Sequence, residues 1–127
     1  MDWVVRGGTA DWQVLQGAYL IDTRVAPPIF GFSVQYAPGI TWEDLVRAGN
    51  IPNGQVCYAD RKDLEAAVAT LGYTMLLIAT PGLGFHHELS LALVQNGQMV
   101  QHLDEDAAKA LSAVFQQHLV RNPLKQP

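Results

Sequence analysis

Charge is what this sequence has least of. Only 16% of its 127 residues are Asp, Glu, Lys or Arg, against about 25% in an average soluble domain. What charge there is leans acidic, with a formal net of −4. The one adjacent basic pair, Arg61-Lys62, stands between Asp60 and Asp63. No basic surface is therefore expected that could displace counterions from a nucleic acid, nor any polybasic segment for a membrane. Cysteine is reduced to Cys57, so an intrachain disulfide and a cysteine zinc cluster are excluded. Long apolar runs are missing too. The longest, "YTMLLIATPGLGF", is broken by Pro81 and is too short to span a bilayer. "MDWVVRGG" has no basic region followed by an apolar core, so no secretory leader is expected, and a reducing cytoplasm is the default location.

What is present is apolar: 49% of the chain. One domain spanning 1–127 can bury roughly two-thirds of its unfolded surface at this length. The scarcity of charge leads us to expect apolar surface, with a second copy, another protein or a small molecule to cover it.

The punctuation suits an α+β fold, with a mixed or antiparallel sheet of about five to seven short strands and three to four helices. "DWVVR", "AYLIDTRV", "IFGFSVQYA", "QVCYA" and "YTMLLIAT" read as strands. The unbroken "MLLIA" points to a central strand covered on both faces, and Gly31 to a bulge. Thr9 to Gly17 reads as a short helix. Thr41 and Asp60 each precede an acidic third residue, which marks helix starts, and Gly49 and Gly72 mark the ends. A hairpin is expected over 89–103, with Asn96-Gly97 as a two-residue type I′ turn that sets Leu91 opposite His102. The longest helix is the last, over 104–120, and 124–127 should fray.

The candidate chemistry gathers at "GLGFHHELSLAL". Strand alternation puts His86 and Glu88 on one face and sends His87 to the leucine face. A carboxylate beside an imidazole can orient it or share a substrate hydroxyl with it. Gly82 and Gly84 leave room for an open mouth, with His86 and Glu88 as its polar lip. Adjacent strand histidines point apart and no HExxH pattern follows, so neither a metal nor a resident cofactor is expected. Cys57 and the three tryptophans read as packing residues. Arg6, ending the first strand before two glycines, has the fork that clamps a phosphate or carboxylate.

Arg6, the serine of Phe32-Ser33-Val34 and the glutamate of His86-His87-Glu88 stand in an order that resembles small ADP-ribosyltransferase-like folds. The resemblance implies that Arg6 binds NAD phosphates, Ser33 steadies the site and Glu88 orients the acceptor or ribose. The chain departs from that pattern at His86, where a glutamine or glutamate is usual. Two readings follow. One is a small cytosolic, non-catalytic binding or interaction module that self-associates. The other is a small enzyme on a nucleotide-like substrate, using Arg6, Ser33 and the His86/Glu88 pair. They separate on whether Arg6, Ser33 and Glu88 line one cleft.

Overall fold

Alternation along the first strand already divides the molecule into two layers. Val4 and Val5 are neighbours in sequence and both fully buried, but they enter different cores. In a computed structural model that describes residues 1–125, seven antiparallel strands form one sheet. They are β1 (Trp3–Gly7), β2 (Leu20–Asp22), β3 (Ile29–Tyr36), β4 (Gln55–Asp60), β5 (Tyr73–Ala79), β6 (His86–Leu93) and β7 (Leu119–Arg121). The order across the sheet is β5-β6-β3-β1-β4-β7, and β2 pairs with the first half of β3.

Four helices cover the sheet: α1 (Trp12–Ala18), α2 (Trp42–Gly49), α3 (Arg61–Ala69) and α4 (Glu105–Gln116). The larger core joins Val4, Phe32, Val34, Leu89 and Leu91 of the sheet to Leu15 of α1, Leu64 and Val68 of α3, and Leu111 and Phe115 of α4. On the opposite face α2 packs Leu45 and Val46 onto Val5 and Val56. Three of the helix starts are capped as side-chain chemistry requires. Thr41 accepts from the Asp44 amide, Asp60 from Lys62 and Asp104 from Ala107. Among the described residues no helix is long and apolar enough to cross a membrane.

Several local expectations are corrected. β5 is an outermost strand, not a central one, and only Met75 in it is buried. The apolar run reflects partial cover by α3, which packs against this strand, rather than burial on both faces. The N-cap position of α1 is Asp11 instead of Thr9, whose hydroxyl donates to the Asp11 carboxylate, and Gly17 lies inside the helix. α4 stops at Gln116 because Leu119–Arg121 is drawn into the sheet beside β4. Pro123–Lys125 forms a 3-10 turn tied to Asn122, and 126–127 lie outside the described residues.

The chain does reverse at Asn96-Gly97, but through a four-residue loop. The Leu93 amide donates to the Gln98 carbonyl, and only Gly97 has positive φ. Ala92 then faces Met99, so His102 lies beyond the pairing and is exposed. The returning arm is short for a physical reason. The Val100 amide reaches the Leu91 carbonyl, but the reciprocal bond is replaced by the Tyr19 hydroxyl. That hydroxyl accepts from the Leu91 amide and donates to the Val100 carbonyl.

Gly31 is a close-approach residue and not a bulge: a Cβ there would lie 2.7 Å from the Leu89 carbonyl oxygen and 2.8 Å from Ser90 Oγ. Gly17 has open space where its Cβ would be. Gly31→Ala should therefore destabilise by about 1–3 kcal/mol. Gly17→Ala should stabilise by about 0.5–1 kcal/mol, because it removes a helix-interior glycine. Urea denaturation of the two variants against wild type checks both signs.

Candidate functional site

The site forms where the sheet is weakest. β1 pairs with β4 from Trp3 opposite Asp60 to Gly7 opposite Val56. It meets β3 only at Val4–Tyr36 and Val5–Gln35. The next residue on β1, Arg6, reaches across. Its Nη1 donates to the Ser33 carbonyl at 2.7 Å, and its guanidinium carbon lies 5.1 Å from the Phe32 ring centroid. A guanidinium over an aromatic face is attracted by the ring's negative quadrupole. The Arg6 Nε is buried without a hydrogen-bond partner. Burial draws the guanidinium below its ordinary pKa, opposed by the neighbouring Cys57 and Glu88.

Two adjoining clefts open here and share Ser33. The first, of about 280 Å³, is lined by Arg6, Gly7, Ser33 and Gln35 on the strands and by Gly49 and Ile51–Asn53 beyond α2. Two glycines of its wall lie close under side chains. A Cβ on Gly7 would fall 2.2 Å from Asn53 Oδ1, and one on Gly49 would fall 2.7 Å from the Gln35 side chain. The second cleft, of about 380 Å³, is lined by Asp22 at the end of β2, by Thr23 and Arg24 after it, and by Gly31, Ser33 and Glu88.

Ser33 and Glu88 are register partners on β3 and β6, and the Ser33 hydroxyl donates to Glu88 Oε1 at 3.3 Å. Glu88 is not the solvated lip expected of it: it is 3% exposed, while Ser33 beside it is open. Arg24 closes over the carboxyls. Its Nε and Nη2 grip Asp22 at 3.0 and 2.9 Å, and the same Nη2 lies 3.4 Å from Glu88 Oε1. This fork holds Asp22 well below the usual carboxylate range. Glu88 moves the other way, pushed up to about 7 by burial and then by the Asp22 carboxyl, against the Ser33 hydrogen bond and Arg24.

The structure does not put Arg6, Ser33 and Glu88 in one cleft: Arg6 and Ser33 line the first, Ser33 and Glu88 the second, and the two meet at Ser33. His86 stands two pairs along, opposite Gln35, and lines neither cleft. Its Nδ1 is 2.7 Å from the Thr80 hydroxyl, and burial followed by the Arg24 charge lowers its pKa. His87 points to the other face, as alternation requires, and packs edge-on to Tyr36. Cys57 is buried and its thiol is pushed up to about 12 by that burial, which leaves it inert. Among the described residues no group of three His, Cys, Asp or Glu side chains is placed to hold a metal ion. Asp22, Arg24, Gln35 and Asn53 join the site without having been singled out from the sequence. Only the Asp22-x-Arg24 spacing hinted at a shared face.

No protein-family model matches the chain, and no curated protein or solved structure is significantly similar to it.

The two carboxyls give stability opposite pH dependences. A glutamate that ionises near 4.3 when unfolded and near 7 when folded makes the native state the better proton binder between those values. Stability should therefore fall as pH rises from about 4.5 to 7. Asp22, depressed in the fold, contributes stability above its unfolded pKa of about 3.9 and loses it as pH falls further. Glu88→Gln should remove the fall across the neutral range, a change on the order of 1–3 kcal/mol. Urea unfolding at pH 5 and pH 8 measures it, and equal pH slopes for variant and wild type would contradict it.

Proposed function

We propose that this chain is a small enzyme acting on a nucleotide-like substrate, similar to ADP-ribosyltransferases in the order and roles of its groups. The observation that carries the reading is the convergence of Arg6, Ser33 and Glu88 on clefts that share Ser33. Arg6 lines the first cleft, and a guanidinium there is suited to a phosphate oxygen. The exposed Ser33 hydroxyl and the Glu88 carboxyl beside it can exchange hydrogen bonds with sugar hydroxyls. Gln35 and Asn53 offer amides to a base or a carboxamide. Two arginines near this site supply local positive charge on a chain that is acidic overall.

A second reading is favoured by Arg24, which already occupies Glu88. A non-catalytic module would bind the same ligand with the same groups and leave it unchanged. The cytoplasmic location and self-association expected from the composition belong with either reading. Leu20 and Ile21, both exposed at the rim of the second cleft, supply apolar surface for a protein partner.

The experiment is binding and turnover with NAD, ADP-ribose and ATP. Wild type should gain several degrees in melting temperature at millimolar nucleotide, as a ligand confined to the folded state requires. Arg6→Lys, which keeps the charge and loses the fork, should weaken affinity about tenfold or more. Release of a product from NAD by wild type, abolished in Glu88→Gln, supports the enzyme. Binding without product supports the module. A melting temperature indifferent to all three nucleotides overturns both.

A further inference from the structure

We propose that Asp22 and Arg24 are positioning residues for Glu88, and that the three side chains form a proton-holding unit in which Glu88 carries the exchangeable proton. The inference rests on reading this cleft as a reaction site, and it adds acid–base partners to that site.

Both carboxyls are buried. Asp22 is 7% exposed and Glu88 3%. A carboxyl removed from water must be either paired or protonated. One cation serves both. Arg24 commits its Nε and Nη2 to the two oxygens of Asp22, a bidentate grip that suits an ionised carboxylate. Glu88 is left with the far side of that Nη2 at 3.4 Å and with the Ser33 hydroxyl at 3.3 Å. The other charged or titratable groups facing it do not replace a counter-ion. Arg6, from β1, feels the Glu88 charge but makes no ion pair or hydrogen bond with it, its Nη1 being spent on the Ser33 carbonyl, and His86, from β6, has its Nδ1 held at Thr80. Two like charges so close and so dry do not both ionise, and the member without the bidentate partner keeps the proton. The upward displacement of Glu88 by burial and by Asp22 agrees with this assignment.

Such a unit has a defined chemistry. As the bond from a sugar carbon to its leaving group breaks, the electron pair goes to the leaving group and the Glu88 proton follows it. The carboxylate left behind faces Arg24. An incoming hydroxyl bonds to the carbon through its oxygen and gives its proton to Glu88, which restores the starting state.

The test is a carbon-13 NMR titration of the side-chain carboxyls in the full chain without ligand, with Glu88→Gln assigning the resonance. Wild-type Glu88 should titrate near 7. Asp22→Asn should lower its midpoint by about one unit or more, and Arg24→Gln should raise it. A wild-type midpoint in the ordinary carboxylate range overturns the proposal, as does a midpoint unmoved in both variants. Should Asp22→Asn fail to fold, Arg24→Gln, whose wild-type side chain is 53% exposed, decides alone: an upward shift supports the unit and no shift overturns it. Because no nucleotide is present, an ordinary Glu88 midpoint sinks this inference and leaves nucleotide binding standing. A raised midpoint in a chain that binds no nucleotide does the reverse.

Discussion

The contact between the Arg6 guanidinium and the Ser33 carbonyl is the one on which the rest of the site depends. β1 and β3 share a seam of two residue pairs, and the next rung is a side chain rather than a backbone pair. An arginine suits that rung because its length spans the gap and its flat face lies on Phe32. Ser33 is thereby held by its carbonyl on one side and by Glu88 on the other, and the two clefts meet at it. A continuous β1–β3 ladder would close the opening in which the guanidinium lies.

Around that opening the electrostatics are local. Arg24 and Asp22 close on each other, and Glu88 lies under them with its pKa pushed up to about 7 by burial and by Asp22. The arrangement uses few charges, which agrees with a composition poor in them. It also explains why overall charge says little about this site. The chain is acidic as a whole, yet two arginines stand beside Ser33 and Glu88.

Much of the scaffold was legible from sequence because it rests on local rules. Thr41 and Asp60 cap helices as their side chains dictate. Alternation correctly separated His87 from His86 and Glu88. The α+β class and the late position of the longest helix follow from the same patterns. The misreadings share a cause, which is competition from distant partners. "MLLIA" is apolar enough for a central strand but lies at the sheet edge, because strand order is not encoded in periodicity. Leu119 and Val120 continue a helical pattern, yet β4 recruits them together with Arg121. At the site, Arg6, Ser33 and Glu88 were identifiable by residue type and order. Asp22 and Arg24 were not, because their role arises only when β2 folds against β3 and brings them over Glu88. His86 looked equal to Glu88 by alternation, and only Thr80 shows that its ring is engaged elsewhere.

The Tyr19 hydroxyl lodged between Leu91 and Val100 has a consequence for the order in which the chain folds. A reversal at Asn96-Gly97 looks like the most local element of the sequence, of the kind that closes in microseconds from its own residues. Here one of its cross-strand links runs through a hydroxyl 72 positions from Leu91 and 81 from Val100. The arm after the turn is therefore completed only when α1, whose C-terminal cap is Tyr19, has docked on the sheet. An apparently local hairpin becomes a long-range structure, and its formation is tied to the slower, non-local assembly that sheet topology imposes.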